Sequence, residues 1–143
     1  MSDSSKTASG KQLEEEIARE IIHFLKDHVG RGPEGYRTYL ADDMFIIRLH
    51  KIFSPAEHEM AKTESGRQSV KETRRRLIEE LRPLLEEMVR TATGAEVVSL
   101  HSDVSTKTGE GLIIFVLNRK LGTKERSGGG DFVDVGGGNQ DEP

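Results

Sequence analysis

The sequence predicts an α+β domain in which two αββ units give a four-stranded, mostly antiparallel sheet with two main helices on one face. Three observations predict it. Apolar residues recur at three- and four-residue intervals over 11–29 and again within 54–93, the period of a helix with one buried stripe. Each of those stretches is followed by a pair of short β-prone segments bounded by turn residues. The order helix, hairpin, helix, hairpin then runs through the chain with no sequence repeat behind it.

The first helix spans about Lys11 to Val29, with Leu13, Ile17, Ile21, Phe24, Leu25 and Val29 in one stripe. Glu14, Glu15 and Glu16 sit where the helix dipole favours anions, and Gly30-Arg31-Gly32-Pro33 stops it. Tyr36 to Leu40 reads as a strand, Ala41-Asp42-Asp43 as a tight turn, and Met44 to Phe53 as a second strand. There Phe45, Ile47 and Leu49 share one face; Met44, Ile46, Arg48 and His50 share the other.

Ser54-Pro55-Ala56-Glu57 has the makings of a capping box with proline in the first turn. The helix it opens runs to about Thr93, with Ser65-Gly66 its weak point and a kink expected at Pro83. Val70, Leu77, Ile78, Leu81, Leu84, Leu85 and Met88 form its stripe, and Gly94 ends it. Ala95 to Thr106 reads as a strand with Val98, Leu100 and Val104 on one face. Lys107 to Gly111 is a turn, and Leu112 to Arg119 is the last strand. Residues 1–10 and the Gly-rich 122–143, with GGG at 128–130 and 136–138, are expected to be disordered, leaving one domain at 11–121.

The last strand is apolar on both faces. With Leu112, Ile114 and Val116 turned to the helices, Ile113, Phe115 and Leu117 join Met44 and Ile46 on a second face too apolar to be left in water. A symmetric homodimer through those five residues is the expected cover. The alternative is that residues 56–66 fold across it.

Composition narrows the function. The chain has no cysteine, which excludes disulfides, thiolate nucleophiles and thiolate-held metals. Its longest apolar run, Leu112 to Leu117, is far short of a membrane span, so direct membrane insertion is not expected. The polar start has no secretory character, and a cytoplasmic location is expected. A net charge of −4 gives no reason to expect nucleic acid, and Arg74-Arg75-Arg76 lies among Glu72, Glu79 and Glu80 as a solvated helix face does.

No catalytic set emerges: there is no phosphate-binding glycine loop, no HExxH and no nucleophile elbow. GRGPEG at 30–35 reads as a helix stop and turn, although its amides and Arg31 could cup an anion. Arg67, Arg74, Asp103, Thr106, Lys107 and Thr108 complete the candidate small-anion site. His50 and His101, with Asp103, are the weak candidates for a metal-assisted hydrolase, against the plainer reading of exposed histidines. No metal and no cofactor is expected.

The stretches GRGPEGYRTYLADDMFIIRL, SPAEHEMAKTESGRQSVKETR, LIEELRPLLEEM and SLHSDVSTKTGEGLIIFVL resemble the bacterial MpsC-like, or YbcI-like, family over roughly residues 11–121. The runs SDVSTKTGE and SPAE…KTESGR are the most specific part, since amphipathic patterning alone would not produce them. The resemblance implies a small soluble component of a sodium-translocating, membrane-potential-generating system connected to inorganic-carbon uptake, with membrane-protein partners. No catalytic residues come with it. The expectation is therefore a non-catalytic accessory or regulatory subunit, at most peripheral to the membrane through a transporter subunit. A cytoplasmic anion or ion sensor is the alternative, and a hydrolase the weaker one.

Overall fold

The computed structural model describes residues 10–30 and 32–121. The expectations of disorder for residues 1–9 and 122–143, and the anion-binding role of Arg31, lie outside them.

Helix α1 (Gly10–Val29) buries Ile17, Ala18, Ile21 and Leu25 and ends at Gly30, whose φ of 99° is open to glycine. Strands β1 (Gly35–Ala41) and β2 (Met44–His50) pair antiparallel around Asp42 at φ 64°. Strand β2 stops three residues earlier than expected because Lys51 turns left-handed at φ 51°. That turn breaks the alternation, so the consecutive Ile52 and Phe53 are both buried.

Helix α2 (Pro55–Met60) carries the expected capping box, with Ser54 Oγ accepting from the Glu57 amide at 3.2 Å and Glu57 Oε1 from the Ser54 amide at 2.8 Å. The long helix predicted from residue 54 is in fact two. A new N-cap at Thr63 starts α3 (Glu64–Thr93), which runs on through Pro83 to Gly94 at φ 80°. Strands β3 (Val97–Val104) and β4 (Gly111–Leu117) complete the chain.

The sheet order is β1-β2-β4-β3 with every neighbouring pair antiparallel. The second strand of each hairpin thus lies at the centre. Helices α1 and α3 pack on one face over a core that includes Phe45, Ile47, Leu85, Val89, Phe115 and Leu117.

Two expectations about faces are corrected. Ile113, Phe115 and Leu117 are in the core, not on the second face, and Leu112, Ile114 and Val116 take their place outside. The cause is register: Phe115 stands opposite Phe45 and Ile113 opposite Ile47, and the two rings stack at 6.0 Å. Val98, expected with Leu100, is 61% exposed because a bulge between Val97 and Ser99 shifts the strand's parity. Helix α2 buries none of its own residues and packs beside α3, so 56–66 do not cross the sheet.

Candidate functional site

Two places carry chemistry. The first is the outer sheet face, opposite the helices. Register sets its side chains in rows across the strands: Ala41, Met44, Val116, Ser99; then Tyr39, Ile46, Ile114, His101; then Arg37, Arg48, Leu112, Asp103. Met44, Ile46, Leu112, Ile114 and Val116 are half-buried and form a central apolar patch. Met44 and Ile46 stand where the sequence put them. Among the described residues no helix packs on this side.

Arg48 is the cation nearest the centre, and Glu110 pairs with its Nε. That contact first, and Tyr39 second, hold the guanidinium protonated still more firmly than usual. The buried Tyr39 hydroxyl lies beside Arg48 without reaching hydrogen-bond geometry. Arg37, at the edge, is exposed and makes no ion pair among the described residues. His50 and His101 share this face but stand two strands apart, and no group of three or more metal-ligating side chains occurs among the described residues.

The second place is the seam between α3 and the β3–β4 hairpin. Spacing along α3 puts Arg67, Lys71 and Arg74 on one side of it. Lys71 Nζ donates to Asp103 Oδ1 and to the Val104 carbonyl, both at 2.9 Å. Its ammonium holds the Asp103 carboxyl below the usual carboxylate range. Arg67 donates to the Ala61 carbonyl at 3.1 Å. Arg74 grips Glu57 with two bonds, Nε to Oε2 at 2.9 Å and Nη2 to Oε1 at 2.7 Å, and also reaches the Ile52 carbonyl at 2.9 Å. Its guanidinium carbon lies 5.7 Å from the centre of the Phe53 ring.

The hairpin tip is equally self-contained. Ser105 Oγ accepts from the amides of Lys107 and Thr108 at 3.2 Å each, and Thr108 Oγ1 from the Glu110 amide. Thr106 lies in the same turn. Beside this seam a cavity of about 60 Å3 opens between α1, α3 and the sheet. Leu25, Val29, Leu49, Ile52, Leu77, Ile78 and Ile113 line it together with Lys71, Arg74 and Arg75. Those three cations are already matched, Arg75 by Glu72 at 2.9 Å. The predicted anion-site residues are thus partly brought together, with Arg67, Arg74 and Asp103 bonded within the fold.

The Glu57–Arg74 pair is not legible in the sequence as a unit, since a separation of seventeen residues across a helix break leaves no periodic signal. It ties the β2–α2 link to α3, with side chains only 20% and 14% exposed. Burial alone would raise the Glu57 pKa, but Arg74 and the Ser54 amide outweigh it and the net shift is downward. A carboxylate so depressed stabilises the fold above its unfolded pKa, and the contribution is lost as pH falls through the folded value. Glu57→Gln is therefore expected to cost about 1–2 kcal/mol at pH 7. Urea titrations should show the variant and parent chains converging as the pH is lowered into the acid range, where Glu57 is protonated in both states. A gap that persists at acid pH would mean that the charge is not what matters.

The comparisons bear on what these features serve. The sequence profile of MpsC, described as a Na+-translocating membrane potential-generating system, matches residues 9–119. The chain belongs to the MpsC family. It is 36% identical over 109 residues to the uncharacterised protein YbcI of Bacillus subtilis (strain 168), covering 76% of this chain and 88% of that protein. It is 32% identical over 104 residues to the uncharacterised YrhF of the same organism, covering 71% and 85%. No solved structure matches. For this MpsC-family chain, no helix among the described residues is long and apolar enough to cross a membrane.

Proposed function

We propose that this chain is a non-catalytic accessory or regulatory subunit of a sodium-translocating, membrane-potential-generating system, working by protein contact at the cytoplasmic side of the membrane. The supporting observation is the outer sheet face: a half-buried apolar patch whose most central cation is neutralised by Glu110 has the chemistry of a contact surface. Family membership supplies the system to which such a subunit would belong. The alternative of an anion sensor draws no support from Arg67 or Arg74, because a ligand would first have to break their bonds to the Ala61 and Ile52 carbonyls and to Glu57.

The full chain, tagged and captured from native membranes in mild detergent, is expected to retain an ion-translocating membrane protein. Sodium-dependent potential in membrane vesicles is expected to fall when the chain is stripped away and to return when it is added back. Capture without any membrane protein, together with unaltered sodium-dependent potential, would end this reading.

A further inference from the structure

We infer that the outer sheet face is the interface of a homodimer, in which two copies stack face to face about a two-fold axis running parallel to the strands between β2 and β4.

The rows decide the axis. Rotation about a line parallel to the strands sets β1 of one copy over β3 of the other and β2 over β4, with each row facing itself. Ile46 then meets Ile114 of the second copy, and Met44 meets Val116. At both rims Arg37, exposed and without an ion pair among the described residues, stands opposite Asp103 of the second copy, whose Oδ1 already accepts from Lys71 and whose side chain remains 75% exposed. An axis perpendicular to the strands would instead lay Arg37 on Ala41, taking its guanidinium out of water against hydrocarbon without a new acceptor. Arg48 meets an apolar side chain on either axis, Leu112 or Met44. Charge complementarity at the rims selects the axis parallel to the strands, and Arg48 enters the contact already neutralised by Glu110.

Size sets the strength. Four strands about 4.8 Å apart and seven residues long, at about 3.4 Å each, make a face of roughly 450 Å2 in plan. Two copies bury on the order of 1,000 Å2 in total, near the lower bound for a specific interface. The dimer is therefore expected to dissociate in the micromolar range. This pairing occupies the face that supports the membrane-system reading: where it holds, that reading rests on family membership and the membrane partner meets another surface of the dimer, and where sedimentation gives a monomer the face is left open to that partner.

Sedimentation velocity on the full chain from 1 to 100 µM tests it. The expected mass at the upper end is twice the 15.9 kDa of one chain. Ile114→Asp is expected to give a monomer with an unchanged circular dichroism spectrum. Arg37→Asp and Asp103→Arg are each expected to weaken the dimer by about tenfold and the double reversal to recover most of that loss, while Lys71→Ala, which removes the intramolecular pair that Asp103→Arg also breaks, is expected to leave the dimer in place. These two rim residues are exposed, so a thermal melt can verify that each variant still folds. A monomer at 100 µM overturns the inference, as does a dimer indifferent to Ile114→Asp or a double reversal that recovers nothing. A monomer that dimerises only after removal of residues 122–143 would assign the face to the chain's own C-terminal segment, and also overturns it.

Discussion

Phe115→Ala is expected to destabilise the fold by about 4 kcal/mol, and Ile114→Ala, one residue earlier, by only about 1 kcal/mol. Phe115 is fully buried at the centre of the sheet, stacked on Phe45 and closed over by the helices. Truncating it loses the transfer energy of a large ring and leaves a cavity that the neighbouring strands, pinned on both sides by β2 and β3, cannot close. Ile114 points the other way, half-buried, beside Ile46 and His101. Its truncation removes less contact and opens no enclosed void. Equilibrium urea unfolding of the two variants would show the difference as a shift in midpoint at constant slope. The reverse ranking would mean that β4 sits with the opposite parity.

The parity of β4 is a feature of the sheet that its own local pattern does not supply. Alternation tells which residues of a strand share a face, but in Leu112–Leu117 both sets are apolar, so it does not tell which face is inside. The neighbouring β2 carried the needed signal. Arg48 and His50 mark its outer face, and antiparallel pairing of β2 with β4 then forces Phe115 inward opposite Phe45. Pairing is long-range, and no local pattern in 111–117 contains it. The helices were more legible because each has a single apolar stripe, broken only at its edges. Val89, missing from the predicted stripe of α3, is buried, while Leu84, included in it, is 51% exposed.

The chemistry was legible as residue types and not as partnerships. Arg67, Arg74 and Lys107 read as anion binders because the sequence shows cations without their acceptors. The acceptors of Arg67 and Arg74 are the Ala61 and Ile52 carbonyls, exposed by helix ends and turns, and a Glu57 already committed to a capping box. Capping boxes are local, and the one formed by Ser54 and Glu57 is legible in the sequence alone. The second task of Glu57, holding α3 against the β2–α2 link, depends on the chain reversing at 61–63. In the sequence the break shows only as a weak point at Ser65-Gly66, two residues past the Thr63 cap.

Gly66 explains that displacement and gives the last large effect. In a straight helix its replacement by alanine would stabilise by about 1 kcal/mol through backbone propensity. Here Gly66 is the third residue of α3, its amide donating to the Thr63 cap at 3.0 Å, and the end of α2 lies directly against it. A Cβ at this position would sit 1.8 Å from the Met60 carbonyl oxygen and 2.7 Å from its carbon. Both are backbone atoms that no rotamer change can move, so Gly66→Ala must push α2 away from α3. The net cost is expected to be about 3 kcal/mol, the upper end for overpacking. Displacement of α2 also drags Glu57 off Arg74, so Gly66→Ala and Glu57→Gln should cost less together than the sum of their separate effects. Hydrogen exchange adds a local readout: the Ala61 amide, bonded to the Glu57 carbonyl at 2.9 Å, should lose protection in Gly66→Ala before the β4 amides do. A stabilised Gly66→Ala chain would place the α2–α3 joint elsewhere and return residue 66 to the interior of an uninterrupted helix.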